Sequence, residues 1–427
     1  MRTARLTLIA LLVLWAAPSE RSAFRLVSID PLPAAGDACE WPGPGVLGTA
    51  VYAQSRAAAA ALDPAPLRVI HDNVATFSAV AVDPARDEIV LQDENLFQIH
   101  VYERTAASSR EIAIPEPKRI IEGKDTGIEF NCGLYIDPKS GDIYSLSNDT
   151  SDTLLVFGRD AAGNSRPKRT LHTPHGTYGI AVDETSGEMF FTVEHDNAVV
   201  AFRKDAKDEE RPTALIQGDR TGLADPHGIA LDSARGLIFV ANHGSTHRVR
   251  ADLGPPPEIP NWPLTRGYAV PGSGTLEPPS IAVYPRTARG DAAPVRVIAG
   301  PATQLNWPAQ MFFDEGRNEL FVANDGAHSV LVFSGNASGN AAPLRVIGGA
   351  RTGLANPTGV WVDTVHDEVV VSNMGNHSAT VYPRTATGDV APLRSIKAAP
   401  AGKTALAIGN PGAVAYDSRR DQLLVPN

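Results

Sequence analysis

The chain has 427 residues, of which 43% are hydrophobic and 20% are charged, and its formal net charge is −10. This composition is sufficient for a large buried core. Because the negative charge is spread along the sequence and not gathered in blocks, nucleic acids and anionic membranes are excluded as expected partners.

The amino terminus has the pattern of an export signal. Arg2 and Arg5 precede the apolar run LTLIALLVLWAA, which is too short to span a bilayer and has the length of a secretory core. We therefore predict a signal peptide or an uncleaved anchor over residues 1–23, and a periplasmic or extracellular location. Contact with a membrane is expected only through an uncleaved anchor. Residues 24–48, rich in Pro, Gly and Ala, read as a leader to a folded region at 49–427.

The two cysteines suit an exported protein that does not depend on disulfides. A bridge between Cys39 and Cys132 is allowed, but Cys132 stands just ahead of a predicted strand. A buried thiol is the ordinary interpretation at such a position.

From about residue 77 onward, one unit recurs. Its first part is a short apolar run that ends in aspartate, and a second, a third and a fourth run follow, the fourth mostly of the form Pro-x-Arg. The aspartates that end the first run are Asp83, Asp137, Asp183, Asp232, Asp314, Asp363 and Asp417.

Four short strands per unit, separated by Gly, Asn, Asp and Pro turns, are typical of a β-propeller blade. We therefore predict an all-β propeller of four-stranded blades. Crowding near the axis places the first strand innermost, because glycines recur in it, whereas arginines recur in the fourth strand and point outward. The glycines are Gly133, Gly179, Gly228 and Gly359, and the arginines include Arg68, Arg296 and Arg345.

The seven copies predict seven blades. The chain ends on the second-strand run QLLVPN, while the runs TAVYAQ and PLRVI near its start resemble a third and a fourth strand. We expect these pieces, with Tyr52 and Leu424 in one sheet, to complete the seventh blade. Six blades, eight blades and an open ring are the alternatives.

One interval is longer than the others. Asp232 and Asp314 are 82 positions apart because residues 243–279 are inserted between a second and a third strand. Loops at that point emerge at one end of the channel, and long loops on rigid scaffolds often carry function. Trp262, Arg266 and Tyr268 are candidate contact residues there. Alternatively, the insertion folds back on its own blade.

The segments PHGIALD…LIFVANHG and NPTGVWVD…EVVVSNMGN resemble NHL repeats, and the resemblance extends from about Ala50 to Asn427. It implies a propeller of six or seven blades. The family includes binding scaffolds, lyases and relatives of lactonases, so the resemblance implies no single function.

Two rings of polar residues follow from the repeat. The aspartates that end the first runs precede turns, so we assign them to accepting turn N–H groups, and we assign the Pro-x-Arg arginines a structural or solvated role. The second ring ends the second strands, and its oxygens are candidate ligands for Ca²⁺, although Asn also ends strands for turn reasons. Its members are Asp93, Asn148, Glu194, Asn242, Asn324, Asn373 and Asn427.

Histidine breaks the symmetry of the repeat. His172, His175, His195, His227 and His243 come from two neighbouring units and are expected at one end of the channel. His195, His227 and His243 with Glu194 are candidate ligands for Zn²⁺, and His227 and Glu194 are the candidate catalytic residues. The arrangement resembles the multi-histidine mouths of propeller lyases, but solvated loop histidines are the simpler interpretation.

Two functions follow from these patterns. The first is an exported binding scaffold for a peptide, a glycan or a protein, which contacts its partner at the end that carries the insertion. The second is a metal-dependent lyase or lactone hydrolase with a histidine-rich channel mouth. The free variation of residues among the repeats favours the first function, and the clustered histidines favour the second.

Overall fold

The computed structural model describes residues 73–148, 150–246, 249–250, 268–269, 273–405, 415–417, 419 and 422–424. The predicted export signal, the leader, Tyr52 and Arg68 lie outside these ranges. Cys39 does too, so the optional bridge to Cys132 stays a prediction. Within the described residues, no helix combines the length and the apolar character that crossing a bilayer requires.

Six four-stranded antiparallel sheets follow one another along the chain, and in each the strands lie in chain order. Blade one contains β1 (Phe77–Asp83), β2 (Glu88–Asp93), β3 (Gln98–Glu103) and β4 (Arg119–Ile121). Blade two contains β5 (Asn131–Ile136), β6 (Ile143–Ser147), β7 (Thr153–Phe157) and β8 (Arg169–His172). Blade three contains β9 (Thr177–Asp183), β10 (Glu188–Val193), β11 (Ala198–Arg203) and β12 (Ala214–Ile216).

Blade four begins with β13 (Pro226–Asp232) and β14 (Leu237–Asn242). The insertion then contributes β15 (Ser245–Thr246), β16 (Val249–Arg250), β17 (Tyr268–Ala269) and β18 (Thr275–Leu276), and the blade resumes with β19 (Ser280–Pro285) and β20 (Arg296–Ala299). Blade five contains β21 (Pro308–Asp314), β22 (Glu319–Asn324), β23 (Ser329–Ser334) and β24 (Arg345–Gly348). Blade six contains β25 (Pro357–Asp363), β26 (Glu368–Asn373), β27 (Ser378–Pro383) and β28 (Arg394–Lys397), and β29 (Ala415–Asp417) pairs with β30 (Gln422–Leu424) beyond it.

The prediction of seven blades is wrong, and the ring closes with six. The inner strand of blade six, β25, contacts the inner strand of blade one, β1, so no gap is left for a seventh blade. His377 donates a hydrogen bond to the carbonyl oxygen of Ala75 at 2.8 Å, and Arg104 pairs with Glu368 at 3.0 Å. The seventh copy of the repeat contributes the separate two-stranded sheet of β29 and β30.

The radial order of the strands is confirmed. The first strand of each blade contacts the first strands of its neighbours, and the spacing leaves no room for side chains at the predicted glycines. A Cβ atom at Gly228 would lie 2.0 Å from the carbonyl oxygen of Ala309, and one at Gly179 would lie 2.4 Å from that of His227. Only glycine permits this approach of two backbones.

The repeated aspartates are structural, as predicted. In every blade the aspartate that ends the first strand accepts a hydrogen bond from a backbone N–H in the turn that follows, for example Ala85 to Asp83 at 3.0 Å. The corresponding acceptors in the other blades are Asp137, Asp183, Asp232, Asp314 and Asp363. The side chain of Asp417 lies outside the described part of the chain.

We call the end of the ring that carries these turns the latch rim, because basic residues there link neighbouring blades. The basic residue that follows a third strand reaches back to an acidic residue of the preceding blade, as Arg159 does to Asp83 at 2.8 Å and Lys204 to Asp137 at 2.9 Å. Arg286 pairs with Asp183 and Arg384 with Glu319 in the same way. Arg104 to Glu368 completes the circle, and only blade five, with Gly335 at this position, lacks the link among the described blades.

The arginines of the fourth strands are structural too. Arg119, Arg345 and Arg394 each make a bidentate pair with the glutamate that begins the second strand of the same blade. Arg296 instead donates to the carbonyl oxygen of Gly335. The sequence left open whether these arginines are structural or solvated. Their guanidinium groups are half-buried and hydrogen-bonded, so the role is structural.

Large side chains fill the axis of the ring. Trp361 on β25 packs against the cores of several blade interfaces and contacts Phe312 on β21, with ring centroids 5.0 Å apart. Gln310 on β21 extends to blade two, where its Nε2 donates to the carbonyl oxygen of Cys132 at 2.6 Å. The thiol of Cys132 is buried and lies 3.4 Å from the carbonyl oxygens of Thr177 and Tyr178.

The insertion leaves blade four intact. β14 pairs with β19 from Leu237–Pro285 through Asn242–Ser280, the register that the sister blades use without an insertion. The insertion itself begins and ends with two short ladders, β15 with β18 and β16 with β17. Trp262 and Arg266 lie outside the described residues, and only the backbone of Tyr268 is described.

Candidate functional site at the channel mouth

The opposite end of the ring gathers the asymmetric residues of the chain. There the second strands end and the first strands begin, so the loops of every blade converge near the axis. We define the mouth by the residues Glu94, Asn148, Glu194, Asp225, His227, His243, Trp307 and Asp325. Blades one to five all contribute to this set.

His227 and Glu194 form the central ion pair of the mouth. Nε2 of His227 lies 3.0 Å from Oε2 of Glu194, and Nδ1 lies 3.1 Å from the carbonyl oxygen of Asp225. Burial by itself lowers the pKa of His227, but the hydrogen bond to Glu194 and the charges of Glu194 and Asp225 outweigh it, so the pKa is raised. Both ring nitrogens face acceptors, which suits a protonated imidazolium.

An aromatic stack runs through this imidazolium. The His243 ring lies parallel to that of His227, with centroids 3.5 Å apart and an interplanar angle of 19°. The Tyr178 ring lies 4.4 Å from that of His227 and is tilted by 58°, and the Trp307 ring lies 4.8 Å from that of His243 and is tilted by 30°. The stack ends in an indole that is 50% exposed.

His243 is neutral and has no hydrogen-bond partner among the described residues. Burial and the neighbouring charge of His227 lower its pKa to about 2. His243 is 5% exposed, and neither of its ring nitrogens makes a hydrogen bond to any described group. The backbone of Pro308 lies near the ring and opposes the pKa shift weakly, without meeting the geometry of a hydrogen bond.

Carboxylates surround the stack. Burial, together with the charges of Asp93 and Asp325, raises the pKa of Glu94 to about 8. Burial also raises the pKa of Asp225 and that of Asp325, against the opposing charge of His227. Glu94, Glu194 and Asp325 all act on the pKa of Tyr178, which burial raises first of all. These groups therefore share one electrostatic environment although they come from different blades.

Of the five predicted histidines, three reach the mouth. His195 lies at its edge, with Nε2 3.4 Å from Oε1 of Glu194. His175 packs beside His195 but pairs with Asp152 at 3.1 Å, and His172, on an outer strand, lies 3.6 Å from Glu209.

The pair of Asp152 and His175 is one case of a repeated link between blades. The linking residue, here Asp152, precedes a third strand and has a positive φ, and its side chain reaches the next blade. Asn197 accepts from the N–H of Asp225 at 2.6 Å, and His328 accepts from that of Asn356 at 2.9 Å. His377 at the ring closure belongs to the same series.

The predicted oxygen ring at the ends of the second strands is used inside the blades. The side-chain oxygens of Asn242, Asn324 and Asn373 accept from backbone N–H groups of the preceding loop at 3.1, 2.7 and 3.3 Å. Asp93 does the same with the N–H of Thr76 at 2.6 Å. These oxygens hold loops, and a Ca²⁺ site at this ring stays a prediction. Asn427 lies outside the described residues.

Asn148 is the exception in that ring. Its Nδ2 lies 3.4 Å from Oε1 of Glu194, and its Oδ1 is buried without a hydrogen-bond partner in the described chain. Asn148 therefore belongs to the mouth.

The geometry offers a different metal set from the predicted one. Ligand atoms of Asp225, His227 and His243 lie within 4.8 Å of one another, whereas Glu194 and His195 are not in this group. However, the two imidazoles stack nearly parallel, and both nitrogens of His227 already face Glu194 and Asp225. A tetrahedral Zn²⁺ site needs lone pairs that converge on one point, so the observed arrangement does not fit the ion without rotation of a ring.

Sequence reasoning missed Asp225, Trp307, Glu94 and Asp325. Glu94 and Asp325 stand one position after the predicted ring residues Asp93 and Asn324. His195 and His243 occupy the same position in their own blades. The position directly after each predicted ring residue therefore carries an acidic side chain or a histidine in four blades. Comparing that position among the repeats would have grouped these side chains from the sequence alone.

Comparisons with known proteins found similar solved structures but no matching family. No family model matches the chain, and no curated protein is detectably similar. A chain from the crystal structure of a nidogen/laminin complex is 14% identical, with 76% of this chain and 92% of that chain covered and a TM-score of 0.46. A functionally unknown protein from Desulfotomaculum acetoxidans DSM 771 is 14% identical, with 76% and 87% covered and a TM-score of 0.46. The chain is a six-bladed β-propeller by its own strand pairing.

Proposed function

We propose that this protein is an exported, NHL-like propeller that binds a peptide or protein partner at the channel mouth. The observation that supports the proposal is the stack from Tyr178 to Trp307, which ends in a half-exposed indole above a buried ion pair. Aromatic anchors in a polar surround are typical of the centres of recognition sites. Surplus carboxylates favour a partner that carries charge over a neutral glycan.

Binding is tested by exposing the purified, immobilised protein to peptide and glycan panels. We expect peptides to bind, and Trp307→Ala to weaken their binding while leaving the melting temperature nearly unchanged. Val365→Ala is the matched control, because this apolar side chain is 69% exposed on the latch rim. Binding of glycans alone, or equal binding by wild type and Trp307→Ala, would contradict the proposal.

Export is tested separately in a bacterial host. The full chain is expected in the periplasm or the medium, and a charged variant of its apolar segment, Leu11→Arg with Leu12→Arg, is expected to stay in the cytoplasm. Equal distribution of the two chains would show that residues 1–23 do not direct export.

A metal-dependent lyase or lactone hydrolase is the second candidate, favoured by the proximity of Asp225, His227 and His243. It predicts stoichiometric metal in the purified protein and a melting temperature that falls with EDTA. Both effects should vanish in His243→Ala. Absence of metal, with melting unaffected by the chelator, would exclude this candidate.

A further inference from the structure

Resting on the proposed binding function, we infer that the mouth recognises an organic cation, the ammonium or guanidinium group of a lysine or arginine side chain in a peptide. Asp225 and Asp325 supply negative charge, Glu94 supplies a carboxyl group that the bound cation ionises, and Trp307 supplies an aromatic wall. Asn148 and His243 supply hydrogen-bond acceptors. The inference joins three independent features of the mouth.

The first feature is a lack of cations. The positive charges that act on Asp225 and Asp325 come from histidines, and none acts on Glu94 among the described residues. The latch rim of the same molecule is different, because there Arg or Lys side chains neutralise Asp83, Asp137 and Asp183. Glu94, Asp225 and Asp325 are half-buried. Asp225 lies 3.5 Å from His227, while Asp325 accepts a hydrogen bond from the neutral amide of Asn356 at 2.7 Å. Enclosed carboxylates are normally paired with cations, so the mouth is short of positive charge.

The second feature is a pair of buried polar groups without partners. Oδ1 of Asn148, in a residue 1% exposed, makes no hydrogen bond in the described chain, and neither nitrogen of His243 does so. One of the two His243 nitrogens carries no proton when the ring is neutral. Oδ1 of Asn148 and this bare nitrogen are acceptors, as the carboxylates are. Ammonium and guanidinium groups carry donors only, so they complement all of these atoms together.

The third feature is the exposed indole. Trp307 packs its ring on His243, which fixes its orientation, and half of its surface remains open. A cation near the face of an indole is stabilised by the ring quadrupole, and the aliphatic stem of Lys or Arg packs on the same surface. Carboxylates beside an aromatic face are thus suited to a long basic side chain.

The test uses four blocked pentapeptides, acetyl-Ala-Ala-X-Ala-Ala-amide, in which X is lysine, arginine, norleucine or glutamate. Isothermal titration at low salt measures their affinity for the full-length protein. We expect the lysine and arginine peptides to bind about tenfold or more tightly than the norleucine peptide, because norleucine keeps the stem and lacks the charge. The glutamate peptide is expected not to bind.

Variants locate the binding. Glu94→Gln with Asp325→Asn is expected to weaken binding of the lysine peptide about tenfold or more, and Asp325→Asn alone to weaken it less. Glu209→Gln is the matched control, since this carboxylate is exposed on the outer edge of the ring and should change nothing. Melting curves check that each variant is folded. If the double variant is unfolded, the affinity of Asp325→Asn alone tests the inference.

A proton readout separates recognition from a purely structural effect. Burial and the negative charges of Asp93 and Asp325 raise the pKa of Glu94 to about 8, so most of this carboxyl group is protonated at pH 7. The charge of Glu94 also acts on Tyr178. A bound cation should ionise Glu94. Titrations in phosphate and in Tris are therefore expected to show proton release at pH 7 and tighter binding at pH 8.5 than at pH 6.5. Glu94→Gln should abolish both effects.

The outcomes are distinct. Equal affinity for the lysine and norleucine peptides would overturn the inference and leave the proposed peptide binding in place. Failure of all four peptides, with glycans bound instead, would overturn both. Stabilisation by Zn²⁺ that is lost in His243→Ala, without peptide binding, would overturn the inference in favour of the metal-dependent enzyme.

Discussion

The two rims of the ring are built from the same repeat but differ in how their carboxylates are paired with basic side chains. On the latch rim, each described first-strand aspartate accepts turn N–H groups, and basic residues join most neighbouring blades. At the mouth, Glu94, Asp225 and Asp325 have raised pKa values, and the basic groups that pair with Glu194 are the histidines His227 and His195. Ion pairs that recur around most of a ring indicate a structural role, whereas carboxylates that lack Arg or Lys partners at the mouth are candidates for binding.

The largest expected effect lies on the latch rim at the ring closure. Glu368→Gln weakens its contacts with both Arg104 and Arg394, which are 15% and 12% exposed, so we expect unfolding to become easier by about 3 kcal/mol in urea titrations at pH 7. Asp160→Asn, which removes a surface pair with Arg86, is the control and should change the urea midpoint little.

The pH dependence of this pair has a definite sign. Burial raises the pKa of Glu368, but Arg394 and Arg104 outweigh it and lower the pKa below the ordinary value of 4.5. The stabilisation is therefore present above that value and is lost as the pH falls through the folded pKa. Equal stability of the wild type and Glu368→Gln at pH 7 would show that the ion pairs of Glu368 do not stabilise the closed ring.

An intermediate effect is expected at the mouth. Glu194→Gln removes the charge that keeps the pKa of His227 above 6.5, so burial should then lower that pKa below 6.5. NMR titration of the imidazole resonances measures the change. In the wild type, a raised histidine pKa contributes stability that is complete below 6.5 and is lost as the pH rises through the folded value.

The control for this prediction is Glu209→Gln, because the Glu209 carboxylate is exposed and lies near His172 on an outer strand. It should leave the His227 titration unchanged. An unchanged titration in Glu194→Gln as well would show that the ion pair at 3.0 Å does not govern the protonation of His227.

The smallest expected effect concerns the insertion. Deleting residues 247–272 leaves two residues, Ser273 and Gly274, between Thr246 and Thr275, which pair in the structure. With Ser273→Asn, the loop becomes the Asn-Gly turn favoured in hairpins. Since β14 and β19 pair directly, the melting temperature should shift by less than about 2 °C, and a loss of folding in calorimetry would show that the insertion supports the ring.

Local features were predictable from the sequence, and the number of blades was not. The turn role of Asp83 and the glycine at Gly228 follow from repetition and crowding, which one sequence displays. The closure depends on contacts such as Arg104 to Glu368, 264 residues apart, which no local pattern reveals. The seventh copy, around Asp417, resembles the others in sequence and was therefore counted as a blade. Whether the ring has room for a further blade depends on contacts between distant strands, which the repeat pattern does not contain.

The site was predictable in part for a similar reason. His195, His227 and His243 stood out because they broke the repeat. Trp307 and Asp225 lie in loops before first strands, where no repeated pattern marks them, and their association with His243 and His227 requires the closed ring. The chain offers no local signal for the stacking of two imidazoles.

Gln310 of blade five donates to the backbone of Cys132 in blade two, and these two blades stand opposite each other in a ring of six. The contact of Trp361 with Phe312 lies in the same interior. The ring is therefore braced across its width as well as around its circumference.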